Sequence, residues 1–135
     1  MIRGFLAGAF DVIHPGYIHM FKEAKTKCDY LIVGLHIDPT IERPEKIKPI
    51  LDYQDRIDML LSIRYIDEVI PYRLEKDLLN LIEEVNPNIR FLGDDYKGKT
   101  ITGESLKIPI HFINRSHNWS TTKFKNLIKN GKDIQ

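Results

Sequence analysis

Strand-like and helix-like stretches alternate from one end of the chain to the other, and that alternation limits the folds open to it more than any other feature. Ile2 to Gly8 reads as a short apolar strand. Tyr17 to Lys27 carries Tyr17, Met20, Phe21 and Ala24 at helical spacing with lysines opposite. Tyr30 to Leu35 is a continuous apolar run, as a strand buried on both faces requires. Tyr53 to Ile63 is amphipathic, with Ile57, Leu60 and Leu61 on one face, Arg56 and Asp58 on another, and Asp52 in place as N-cap. Glu68 to Pro71 is a short strand, Leu74 to Val85 a helix ended by Asn86-Pro87, and Ile89 to Leu92 a strand stopped by Gly93. Ile108 to Ile113 is one more strand, and Ser120 to Asn130 a last helix with Gly131 as its C-cap signal. This order predicts an α/β fold, an open parallel sheet covered by helices on both faces. Ligands of such sheets sit beyond the carboxyl ends of the strands, where the strand order reverses. That directs attention to residues 9–17, 36–51, 64–73, 93–100 and 114–122.

Composition narrows the function classes. The 135 residues fit a single domain, 1–135. No apolar run is long enough to span a bilayer, and the N-terminus enters strand-like sequence with no charged-then-apolar leader. A lone Cys28 can form no internal disulfide. The expectation is a cytoplasmic protein with no membrane span. Twenty Lys+Arg against 19 Asp+Glu leave a net charge of +1, too little to coat a polyanion, so nucleic acid is excluded as a partner. A local phosphate site is still compatible with that balance.

The segment Gly8-Ala9-Phe10-Asp11-Val12-Ile13-His14-Pro15-Gly16-Tyr17 joins the first strand to the first helix. Gly8 and Ala9 are small enough to let a ligand approach the backbone. Gly16, near a helix start with free amides, suits a phosphate. His14 either donates to a phosphate oxygen or, with Asp11, caps the helix.

The segment resembles the signature Gly-x-Phe-Asp-x-x-His-x-Gly-His of the small cytidylyltransferases in the nucleotidylyltransferase superfamily, with glycerol-3-phosphate cytidylyltransferases the nearest members. Ile63-Arg64-Tyr65-Ile66-Asp67-Glu68-Val69-Ile70 is similar to that family's Arg-Tyr-Val-Asp-Glu-Val-Ile stretch. Gly93-Asp94-Asp95-Tyr96-Lys97-Gly98-Lys99 is similar to its Gly-Asp-Asp-Trp-x-Gly-Lys loop. Arg115-Ser116-His117-Asn118-Trp119-Ser120-Thr121-Thr122-Lys123 is similar to its Arg-Thr-x-Gly-Ile-Ser-Thr-Thr-Lys. The four matches fall in the family's order and cover essentially the whole chain.

The resemblance implies a Rossmann-like nucleotidylyltransferase fold and a reaction in which an alcohol phosphate attacks the α-phosphate of CTP and pyrophosphate leaves. Glycerol 3-phosphate is the favoured acceptor. The protein's part is positioning and charge stabilisation. His14 inherits the role of stabilising charge at the α-phosphate, and Arg115 that of gripping phosphate with its planar fork. A loop lysine, Lys46 or Lys48, reaches the triphosphate. Ala9, Phe10, Asp11, Gly16 and Tyr17 surround the nucleotide in the first segment. Arg56, Arg64, Asp94, His117, Trp119, Ser120 and Thr121 complete its site. Mg²⁺ accompanies CTP, with Asp11 the nearest carboxylate, and homodimers are expected.

The pattern departs from the family at two places. Tyr17 stands where a second histidine is expected; tyrosine donates one neutral hydrogen bond and carries no positive charge near neutral pH. Loss of one oxyanion donor typically costs about 10²–10³ in rate. This leaves open a nucleotide-binding protein with weakened catalysis. His19 points away from position 17 on the helix; His117 and His36 are the better substitutes. Asn118-Trp119 replaces Gly-Ile in the loop that reads the base, where Trp119 either stacks on the base or packs. Heptose-phosphate adenylyltransferases share much of the pattern, including the Ser-Thr-Thr helix start, so an enzyme using ATP with a sugar phosphate is the alternative.

Overall fold

The structure is a computed structural model and describes residues 1–131. Five strands, β1 (Arg3–Gly8), β2 (Tyr30–His36), β3 (Glu68–Tyr72), β4 (Ile89–Gly93) and β5 (Ile110–Ile113), alternate with four helices. These are α1 (Pro15–Lys25), α2 (Tyr53–Leu61), α3 (Glu75–Val85) and α4 (Thr121–Asn130). The strands form one parallel sheet in the order β3-β2-β1-β4-β5. The chain therefore builds outward from β1 through β2 to β3 and then returns to the far side of β1 for β4. The order reverses between β1 and β4, and a crevice opens above their carboxyl ends. This is the open parallel sheet that the alternation predicts, in the Rossmann-like arrangement that the resemblance implies.

Side-chain alternation divides the core between the two sheet faces. Leu6, Leu31, Val33, Leu35, Phe91 and Ile113 meet Phe21 and Ala24 of α1 and Leu60 of α2. Phe5, Ile32 and Tyr72 meet Leu78, Leu81 and Ile82 of α3. The apolar run at 30–35 is continuous because β2 lies between β1 and β3 and is covered on both faces. Pro71 falls within β3, an edge strand, where a missing amide breaks no ladder on the open side.

The helix ends follow the local chemistry. α1 begins two residues before Tyr17, because Pro15 has the φ that suits a first helical position and His14 accepts the Gly16 amide as N-cap. Asp52 caps α2 by accepting from the Asp55 amide. Asn86 ends α3 in the left-handed region, φ 46, ahead of Pro87. Ser120 caps α4 through the Lys123 amide, and the Gly131 amide closes its other end on the Leu127 carbonyl. β4 and β5 are joined without an α-helix, through 3₁₀ turns at Asp94–Tyr96 and Glu104–Leu106. None of the helices is long and apolar enough to cross a membrane among the described residues.

Candidate active site

A cavity of about 710 Å³ lies over the carboxyl ends of β1 and β4. Ala9, Phe10, Asp11, His14, Gly16, Tyr17, Lys46, Arg115, His117, Trp119, Thr121, Thr122 and Lys125 line its upper part. Residues from three distant stretches of sequence converge there because the sheet order brings the β1–α1 loop, the 36–51 loop and the segment after β5 to one place.

His14 is the centre of the cluster. It is 5% exposed. Its Nδ1 accepts the Gly16 amide at 3.0 Å, so in the neutral ring the proton belongs to Nε2, which lies 3.4 Å from Thr121 Oγ1. Burial, aided by His117 and Arg115, holds its pKa below the ordinary histidine value. The ring is therefore neutral at pH 7 and offers one N–H to a ligand.

Tyr17 has been built into this arrangement. Its ring stacks on His14 with centroids 4.1 Å apart and meets Phe10 edge-on at 5.2 Å. Its hydroxyl shares a 2.5 Å hydrogen bond with Thr121 Oγ1. Burial raises the phenol's pKa, so the group is a neutral donor. Phe10 holds a positive φ of 46, a strained state for a bulky residue. Its ring is buried over Gly8 and against Tyr17 and Phe21, which fixes the turn at the start of the segment.

The loop after β5 closes on this turn from above. A Cβ at Gly16 would lie 2.7 Å from Trp119 Cβ, 2.8 Å from His14 Cε1 and 2.9 Å from His117 Cε1. Only glycine admits that approach. Trp119 lies parallel to His14 at 6.1 Å and meets Phe124 edge-on, so here it packs over the histidine. His117 accepts the Trp119 amide at Nδ1 and stacks on His19 at 5.6 Å. Asn118 takes a φ of 63 in place of the family's glycine, as asparagine tolerates. Arg115 lines the cavity while its Nη1 lies 3.4 Å from Asp95, an exposed and therefore weak contact.

The remaining expected residues divide. Lys46 lines the cavity and Lys48 does not. Asp11 is 5% exposed; its two oxygens accept from the Ile50 and Leu51 amides and from Lys125 Nζ at 2.7 to 2.9 Å. Burial alone would raise its pKa, but these partners together bring it below the usual value. Asp11 thus ties the 37–51 loop and α4 to the first turn, with three protein donors on its two oxygens. Arg56 is 2% exposed and gives its donors to the carbonyls of Ala9, His36, Ile37, Leu51 and Asp52. It is a buried strap for the strand-end loops rather than a triphosphate ligand. Asp94 accepts the Arg115 amide at 3.4 Å beside the cavity. Ser120 is occupied as the α4 cap, leaving Thr121 and Thr122 to face the cavity. His36 lines it but bonds the Arg73 carbonyl and stacks on Tyr72.

Arg64 is not brought to the cluster. It precedes β3, whose first residue pairs near the beginning of β2, and so stands at the amino end of the strands. There it is exposed and bonds the Tyr65 hydroxyl. Sequence reasoning missed Lys125, although it follows Thr121 by four positions on the same helix face. Among the described residues, no group of three or more His, Cys, Asp or Glu is placed to hold a metal ion. What the upper part of the cavity offers is a neutral N–H, the hydroxyls of Tyr17, Thr121 and Thr122, two helix N-termini and the cations Lys46, Lys125 and Arg115. That set fits a polyphosphate.

The bifunctional protein HldE of Campylobacter concisus is 32% identical over 130 residues, which are 96% of this chain and 27% of that protein. The chain therefore spans about a quarter of that relative's length. The crystal structure of a lipopolysaccharide core biosynthesis protein from Thermoplasma volcanium is 32% identical and superimposes with a TM-score of 0.68 over 86% of this chain and 97% of that one. Pantoate-beta-alanine ligase from Francisella tularensis, 18% identical over 95% of this chain and 69% of its own, shares the fold at a TM-score of 0.60. Residues 5–129 match the family described as cytidylyltransferase-like. By that match and by the site assembled around His14, the chain belongs to the cytidylyltransferase-like family of nucleotidyltransferases.

Proposed function

We propose that the chain transfers the nucleotidyl group of ATP to the phosphate of a phosphorylated sugar. A phosphate oxygen of the acceptor bonds to the α-phosphorus, the bond to the bridging oxygen breaks, and pyrophosphate leaves with the electron pair. The observation that carries the reading is His14. Its Nδ1 is tied to the Gly16 amide, its Nε2–H is turned toward Thr121, and two helix N-termini stand beside it.

His14 Nε2–H donates to a non-bridging oxygen of the α-phosphate, where negative charge builds as the acceptor attacks. Thr121 hands the Tyr17 hydroxyl's polarity to the same place, which supports an active site rebuilt around tyrosine rather than a weakened one. Lys46, Lys125 and Arg115 hold the β- and γ-phosphates and follow the charge onto pyrophosphate. Mg²⁺ belongs with the triphosphate in this scheme, since three protein donors already engage Asp11.

ATP and a sugar phosphate, the alternative that the resemblance to heptose-phosphate adenylyltransferases implies, are favoured by the similarity to HldE and to the lipopolysaccharide core biosynthesis protein. The second reading, CTP with glycerol 3-phosphate or a like alcohol phosphate, is supported by the Gly93-Asp94-Asp95 loop. The Arg64-Tyr65 match does not bear on the choice, because it lies at the other end of β3. Incubation with ATP or CTP, Mg²⁺ and a panel of sugar 1-phosphates and alcohol phosphates tests both. Pyrophosphate release with ATP and a sugar phosphate is expected. Release only with CTP and an alcohol phosphate would replace this reading by the second.

A further inference from the structure

The cavity does not stop at the strand tips. On the α3 side of the sheet it continues downward past Ala7, Tyr72, Glu75 and Leu78 to Arg90. Arg90 pairs with Phe5, three residues below Gly8, and so stands about 10 Å beneath the end of β1 at the usual strand rise. It projects into the layer that holds Phe5, Leu78 and Ile82, where an apolar residue would be ordinary.

Arg90 is 4% exposed. Nη1 donates to the Thr102 carbonyl at 2.7 Å, and Nε is buried without any hydrogen-bond partner. The residue takes part in none of the ion pairs among the described residues. Glu75, which lines the same lobe, is engaged by Thr102 Oγ1 and Arg43 instead. A guanidinium does not lose its proton in a protein, so this is a full charge with no counter-charge. Leaving a charge buried and unpaired is strongly unfavourable unless something compensates it. Gly103, at φ 78, brings the 100–103 loop so close that a Cβ there would lie 3.2 Å from Arg90 Nη1, which roofs the lobe.

We propose that this lower lobe receives the far end of the acceptor and that Arg90 recognises a second anionic group there, a carboxylate or a phosphate, separate from the phosphate that reacts. The proposal rests on the transfer reaction proposed above. It narrows the acceptor to a doubly anionic phosphorylated sugar, and it makes Arg90 a specificity-determining residue that stays clear of the reacting atoms.

Matched acceptors test it: a hexose 1-phosphate, the corresponding uronate 1-phosphate, and the 1,6-bisphosphate, each assayed with ATP and Mg²⁺. The wild type is expected to favour one of the two charged acceptors over the neutral one by about tenfold or more in kcat/KM. Arg90→Met should reduce that ratio about 10- to 100-fold, the usual loss on removing a charged hydrogen-bond partner, and Arg90→Lys should restore part of it. Which charged acceptor wins separates carboxylate from phosphate. No preference in the wild type, or the same preference in Arg90→Met, would overturn the proposal. Calorimetric titration of the uronate 1-phosphate and the bisphosphate into nucleotide-free protein separates this test from the reaction itself. Absence of turnover with every acceptor would refute the transfer reading. Tenfold weaker binding of a charged acceptor to Arg90→Lys or Arg90→Met would still support the anion site, and equal binding would overturn it.

Discussion

Gly16→Ala sets two physical effects against each other. In an ordinary helix, alanine for glycine is favourable by about 1 kcal/mol. Gly16 has no positive φ to protect, so the backbone raises no objection. The space does. The new Cβ would lie 2.7 to 2.9 Å from Trp119 Cβ, His14 Cε1 and His117 Cε1. Carbon atoms are comfortable at about 3.5–4.0 Å, so the loop carrying His117 and Trp119 must retreat by about 1 Å. Overpacking of this kind costs about 1–3 kcal/mol, leaving a net destabilisation of about 0–2 kcal/mol. The kinetic cost is larger, because a displacement of about 1 Å at a positioning site can cost about 10²-fold. Pyrophosphate release should therefore fall by about two orders of magnitude while the melting temperature drops by only a few degrees. A variant that is more stable and fully active would refute the close approach of the loop to the first turn.

Three further outcomes follow from the same geometry. Arg56→Met removes a buried charge whose donors hold five carbonyls together and should cost about 3 kcal/mol in chemical denaturation; a loss below 1 kcal/mol would mean the strap is dispensable. Tyr17→His should not raise the rate, since an imidazole is too short to keep both the stack on His14 and the bond to Thr121, and Tyr17→Phe should lower it about tenfold; a faster Tyr17→His enzyme would show that tyrosine weakens the site. Stability should decline as pH falls below about 6.5, because burial holds the pKa values of His14, His36 and His117 below that of the unfolded chain. The unfolded state binds more protons in that window, so the three histidines' contribution is complete above it and is lost on acidification through their folded values. Equal melting temperatures at pH 7.5 and 5.5 would contradict this.

The fold was readable because each element carries its own periodicity and its own end signals. Asp52, Asn86-Pro87, Ser120 and Gly131 all act where the sequence places them. The convergence of His14, Gly16, Arg115, His117 and Thr121 was readable for a different reason, since a parallel sheet sends all its strand ends to one edge. Arg56 was misread, and the ties of Asp11 to the 37–51 loop went unseen, because sequence gives a residue's charge but not whether backbone carbonyls or amides will claim it. Arg64 was misplaced because residues 64–73 run the whole length of β3, and only their last part reaches the ligand edge. Lys46 and Lys48 could not be separated in a proline-rich loop without periodicity. Arg90 left no trace in any motif: its burial depends on the loop that folds back over it from Thr102 and Gly103.

The central claim is that His14 organises attack by an acceptor phosphate on an α-phosphate. Phosphorus NMR of the products formed from ATP, Mg²⁺ and a sugar 1-phosphate tests it most directly. The account predicts pyrophosphate together with two coupled resonances of a new sugar–nucleoside diphosphate, and a loss of about 10²–10³ in their rate of appearance in His14→Ala. Release of orthophosphate without the diphosphate linkage, or undiminished product formation in His14→Ala, would contradict it.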